Sequence, residues 1–238
     1  MPQYSDDLWL GAATGPQSQG WAGPGQVFAG VGPLGRVYVF DVVPATLSAT
    51  AVCAAQAVAA AGNASVNGGQ ASGGVATLDC ARNITFVSSN AGDTTQTVTV
   101  TGTDYWGQAQ TQRVTLTGTT TVASTKTFKT ITAVAVSAAL AGNLSVGMGD
   151  VFGLPYKVTD AGYLLRTGWA GAVADNAGTF VAADTATPSA TTGDVRGTFA
   201  PTGSASNGAR RLVIGIGLTA AAAGPNATQT GAIGAVPA

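Results

Sequence analysis

The chain has 238 residues, a formal net charge of −1, no histidine, two cysteines and only 9% charged residues. Without an imidazole it cannot build a Ser-His-Asp or Cys-His catalytic centre or a His-containing zinc site, and ten basic against eleven acidic residues, scattered along the chain, leave no footprint for gripping nucleic acid. All eleven acids are Asp, the acid of turns and caps rather than of helices, which points to an all-β chain.

A typical soluble domain is about 25% charged. Here hydroxyls, amides and glycines must wet the surface, or partners must cover it. Disorder is not expected, because the chain is 45% hydrophobic with almost no net charge. Aromatics are 7%, so the core should be built from small aliphatic side chains that bury little area each, and association into a homo-oligomer, a dimer or trimer, would help stability.

The first residues, Met1 to Asp7, are acidic where a secretory signal starts basic, so no signal peptide is expected and the chain is read as made in the cytoplasm. The apolar stretches Ala51–Gly62, Ile131–Gly142 and Leu212–Ala223 are interrupted and shorter than the ~20 residues that span a bilayer, so no membrane is expected as a partner. Residues 1–35 read as an extended Gly/Pro-rich arm whose isolated aromatics, Trp9, Trp21 and Phe28, could dock on a neighbour or fold back on the chain's own body. Gly30 to Gly35 match G-x-G-x-x-G, but the motif contains Pro33 and precedes a strand instead of a helix, so no nucleotide cofactor is expected.

GRVYVFDVV, residues 35–43, is apolar on both faces and reads as an inner strand. TLSATAVCAAQAVAAAG has alanines that suit a helix, yet Thr46, Thr50, Val52 and Val58 keep a roughly even parity, and the segment leans to strand. In ARNITFVSS, Ile84 and Phe86 share a face. The clearest unit is a hairpin: Val98 and Val100 alternate with Thr97, Thr99 and Thr101, Val114 and Leu116 alternate with Thr115 and Thr117, and Asp104-Tyr105-Trp106-Gly107-Gln108 closes the loop. Parity switches between Phe128, Ile131 and Val134 predict a bulge or burial on both faces. VFGLPYKV, YLLRTGW, GTFVAA and DVRGTFAP are short candidate strands. In ARRLVIGIGL, Leu212, Ile214, Ile216 and Leu218 line one face, with Gly215 and Gly217 opposite leaving room for a close backbone. About a dozen short strands predict a β-sandwich or jelly roll, organised as arm 1–35, sandwich domain 36–219 and flexible tail 220–238.

Candidate chemistry is sparse. Asp93, Asp104, Asp150, Asp160, Asp175, Asp184 and Asp194 sit beside small residues and read as turn formers, so no metal site is expected. Lys126 and Lys129 read as exposed strand positions. Cys53 and Cys80 read as two separate buried thiols. Tyr105 and Trp106, at the hairpin tip, are the strongest candidate contact residues, with tucking of the tip onto its own sheet as the alternative.

The run LDCARNIT, then TVTVTGTDYWGQAQTQRVTL, TKTFKTITAVAV, SVGMGDVFGLPYKV and GTFVAADTATPSATTGDVRGTFAP, over roughly residues 75–218, resembles structural proteins of tailed bacteriophages. The resemblance implies a non-enzymatic virion component, a decoration or cement protein on the outer capsid surface, with the major capsid protein as partner. Cys80, in place of a small or aliphatic residue, and the long arm depart from that pattern. The alternative is a tail or head-fibre component that binds a host receptor or glycan, with Tyr105, Trp106 and Trp169 as stacking platforms.

Overall fold

Alternating Val/Thr phrases with Gly, Asp and Pro between them fold as strands throughout, and no α-helix occurs among the described residues. The structure, a computed structural model, describes residues 8–10, 35–170, 178–184 and 193–218; Trp21, Phe28 and the tail 220–238 lie outside them. The strands are β1 (Leu8–Leu10), β2 (Gly35–Val42), β3 (Ser48–Ala57), β4 (Gly62–Ala64), β5 (Ala71–Ser72), β6 (Val75–Ser88), β7 (Thr97–Thr103), β8 (Ala109–Thr115), β9 (Val122–Val136), β10 (Asn143–Gly153), β11 (Leu164–Arg166), β12 (Gly178–Val181), β13 (Thr198–Pro201) and β14 (Leu212–Leu218). A single 3-10 turn, Ala161–Tyr163, is capped by the Asp160 carboxylate, which accepts from Gly162 N at 2.7 Å.

All pairings are antiparallel. The larger sheet runs β12-β13-β10-β6-β9-β7-β8, with β3 on β10, β4 on β9 and β5 on β6; the smaller runs β1-β2-β14-β11. The long strands β6, β9 and β10 carry register shifts that curl the larger sheet and let it bury side chains from both parities. One shift falls between Thr101 and Gly102, where β9 comes so close that a Cβ on Gly102 would lie 1.9 Å from Thr130 O. The predicted hairpin is β7–β8, with Val98 opposite Val114 and Val100 opposite Gln112.

Two clusters of buried apolar side chains result. The main one gathers Ile84, Phe86, Val98, Val100, Leu116, Phe128, Ile131, Val134 and Leu144 inside the curled sheet. The second gathers Phe40, Phe152, Leu154, Val158, Phe199, Leu212, Ile214 and Ile216 beneath the smaller sheet. Each fully buried Phe or Ile contributes about 1.5–3 kcal/mol. Cys53 lies in the first cluster and Cys80 in the second, both free, as expected.

Several expectations need correction. β2 is buried on one face only: Phe40 is inside, but Val39 is 61% exposed, because nothing among the described residues covers the outer face of the smaller sheet. Lys126 is buried, not exposed, since the bulges in β9 turn it inward towards Asp194 and Asp184; burial pulls its pKa down while the two carboxylates push it up. Lys129 is half-buried, its Nζ donating to Leu78 O at 2.7 Å and Asp79 O at 2.9 Å. A Cβ on Gly215 would meet Arg166 N at 3.5 Å, an ordinary contact, so that glycine answers to no unusually close backbone.

Candidate interaction surface

Where the two clusters meet, the chain buries charge. Arg82 is fully buried. Its Nε donates to Gly149 O at 2.8 Å, Nη1 to Ala45 O at 2.9 Å and weakly to Asp79 Oδ2 at 3.5 Å, and Nη2 to Asp150 Oδ1 at 2.7 Å and Ser206 Oγ at 2.8 Å. Its guanidinium also lies over the Phe152 ring, 5.2 Å from the centroid. One planar fork thus ties β6 to the β2–β3 link, to β10 and to the segment before β14. Asp150 is therefore an ion-pair partner and not merely a turn former.

Over residues 122–129 β9 pairs with β6 but not with β7, and side chains serve its remaining backbone groups. Lys126 N donates to Gln112 Oε1 at 2.7 Å, Gln110 Nε2 donates to Thr127 O, and Thr127 N donates to Asp194 Oδ2 at 2.9 Å. Gln110 and Gln112 sit at inward positions of β8, where the valine alternation alone would not place amides. Asp194 Oδ1 also accepts from Arg196 N at 3.0 Å.

Arg196 leads to the hairpin tip. Its Nη1 donates to Asp104 Oδ2 and its Nη2 to Gln108 Oε1 at 3.3 Å. Asp104 Oδ1 accepts from Trp106 N at 2.8 Å and Gln108 N at 2.9 Å, closing the loop as an Asx turn, and Gly107 supplies the left-handed backbone at φ 84°. The Trp106 indole N–H donates to Pro155 O at 2.7 Å. Tyr105 packs edge-on against Phe40, with centroids 6.1 Å apart, and against Trp106 at 5.0 Å; Tyr38 and Tyr156 meet 5.1 Å apart.

The tip is part tucked and part exposed. Tyr105 is half-buried against the second core, while Trp106, with its polar edge already bonded, leaves 57% of its surface exposed. The pair comes together with Phe40, which hairpin reasoning missed although the even parity of β2 signals it. Trp9 lies in β1, its backbone opposite Arg36, two residues from Tyr38. Trp169 is half-buried; it packs edge-on against Phe152 at 6.3 Å, and its Nε1 is buried without a partner.

This arrangement presents a flat apolar ring on a fixed mount. Elsewhere, a cavity of about 480 Å³ is lined by Ala161, Leu164, Thr167, Gly178, Thr179, Phe180 and Phe199, none of them an acid or a base. Among the described residues no group of three His, Cys, Asp or Glu side chains is placed to hold a metal, and no helix is long and apolar enough to cross a membrane. Comparison with protein-family models, with curated proteins and with solved structures finds no match to this chain.

Proposed function

We propose that the chain is a non-enzymatic structural protein of a tailed-bacteriophage virion that binds the outside of the assembled capsid and stabilises it. The observation that carries the reading is Trp106, exposed on a tip that Arg196, Asp104 and Pro155 immobilise. A rigid aromatic loses little freedom on binding and suits the centre of a protein–protein contact. The resemblance over residues 75–218 supplies the kind of partner, the major capsid protein.

The mechanism is linkage. A protein that binds the assembled shell and not its dissociated subunits stabilises the shell by mass action, and modest contacts held on one oligomer reinforce one another through effective concentration. The test is cosedimentation of purified protein with phage heads stripped of it, with whole bacterial cells as a second arm. Saturable binding to heads that raises their resistance to heat, weakened by Trp106→Ala, is the expected result. Binding to cells with none to heads would overturn it in favour of a receptor- or glycan-binding component, the second reading that an exposed tryptophan also supports.

A further inference from the structure

Two Asn-Gly steps occur in the sequence, Asn67-Gly68 and Asn207-Gly208. Asparagine is a thermolabile residue, and a glycine after it removes the Cβ that would hinder its backbone nitrogen from reaching the side-chain carbonyl. Both asparagines are exposed, yet the fold holds them differently. Gly68, Gly69 and Gln70 donate in succession to Val52 O, Thr50 O and Ala51 O of β3, at 2.9, 3.1 and 2.8 Å. A Cβ on Gly68 would lie 2.3 Å from Thr50 O, so that backbone is pressed against its neighbour, and Asn67 Oδ1 accepts from Ala54 N at 3.0 Å. Freeing Asn67 therefore means peeling a segment from β3, whose Ala51 and Val52 are wholly buried.

Asn207 is held by its own turn. Its Oδ1 accepts from Ala209 N at 3.0 Å and Arg210 N at 2.8 Å, and Gly208 N makes a single bond outward, to Pro44 O at 3.0 Å. Gly208 takes the left-handed conformation at φ 75°, and the atom nearest to a Cβ placed on it is Thr46 Oγ1 at 3.4 Å. Residues 202–205 and 207–209 are all exposed, so the turn opens by a local fluctuation that leaves both cores intact.

We propose that Asn207 is a site of spontaneous deamidation, at which the chain ages independently of any role on a capsid. Gly208 N bonds to Asn207 Cγ, the bond from Cγ to the amide nitrogen breaks, and that nitrogen leaves as ammonia with the proton that Gly208 N gives up. Water then opens the resulting cyclic imide at either carbonyl, yielding aspartate or isoaspartate. Isoaspartate puts an extra methylene into the main chain. That insertion falls directly after Ser206, whose N–H and Oγ donate to Asp150 Oδ2 and Oδ1 at 2.8 and 2.7 Å and whose Oγ accepts from Arg82 Nη2 at 2.8 Å. It also falls just before β14, so the lesion loosens the closure of the second core. Plain aspartate, in contrast, keeps the oxygen that Ala209 N and Arg210 N bind.

The experiment is peptide mapping by mass spectrometry of the full chain after prolonged warm incubation at mildly alkaline pH, with one arm folded and one in urea. In the folded arm Asn207 should convert at least about tenfold faster than Asn67, because its turn opens more readily. In urea the two sites should convert at similar rates. Isoaspartate-bearing protein, separated chromatographically from fresh protein, should unfold at a lower urea concentration, while Asn207→Asp should unfold together with the fresh protein. Equal rates at the two sites in the folded chain, an intact Asn207 there after the urea arm has converted, or isoaspartate protein as stable as fresh protein would overturn the proposal.

Discussion

Arg196 reaches the carboxylate of Asp104, 92 residues earlier in the chain, from beneath the hairpin tip that carries Trp106. Both side chains are almost wholly buried, so the pair is desolvated and each member depends on the other. Asp104→Asn keeps an oxygen for Trp106 N and Gln108 N but removes the charge that Arg196 faces. Equilibrium urea unfolding should show a loss of about 3–5 kcal/mol, larger for Asp104→Ala, which also frees the loop. A loss under about 1 kcal/mol would mean that water reaches Arg196.

Arg82 makes a sharper case for geometry. Its three nitrogens serve two carbonyls, a carboxylate and a hydroxyl on three separate segments, an arrangement that a single ammonium cannot reproduce. Arg82→Lys should therefore be destabilised nearly as much as Arg82→Met, by about 3 kcal/mol, in the same unfolding assay. A lysine variant with wild-type stability would show that charge alone suffices.

How much of this was visible beforehand follows from sequence distance. The β7–β8 hairpin, the bulged β9 and the inward faces of β6 and β14 could be read from local alternation, because a strand's own period reports which face is buried. Lys126, Arg82 and Arg196 could not. A charged residue in a strand reads as solvated until its partner is known, and Asp150 and Asp104 lie 68 and 92 residues from the arginines that hold them. The inward amides Gln110 and Gln112 were hidden for the same reason: what they satisfy is the backbone edge of another strand. At the candidate surface, Tyr105 and Trp106 were legible as aromatics on a Gly-containing loop, whereas Phe40 joins them only through tertiary packing.

Asp93 gives the fold a dependence on acid. Ser88 Oγ, Ala141 N and Gly142 N all donate to its carboxylate, and these bonds, the serine's first, hold its pKa below the ordinary 3.8. A depressed folded pKa means the stabilisation is complete above the unfolded value and is lost as pH falls through the folded one. Stability measured by denaturant from pH 6 down to pH 2 should fall on the acid side, and Asp93→Asn should be less stable at pH 6 with a shallower acid limb. An unchanged limb in that variant would assign the acid sensitivity to other carboxylates.

The thiols make a chemical probe of the two cores. Burial pushes Cys53 and Cys80 up to about 12, so neither is a thiolate at pH 8. Native protein should take up no maleimide over hours at that pH, and unfolded protein should take up two equivalents. Rapid labelling of one cysteine in the native state would reveal local opening of the core that holds it.

The smaller sheet is closed by strands from opposite ends of the described chain, with Asp41 of β2 bonded to Arg211 beside β14, 170 residues later. On the ribosome β2 emerges long before β14 exists, and the buried Arg82 and Asp104 likewise wait for Ser206 and Arg196. The larger sheet can pair its central strands as they appear, but the second core can close only after β14 has been synthesised. Until then the apolar side of β2 is exposed to other nascent chains, so the yield of folded protein depends on how quickly β14 arrives.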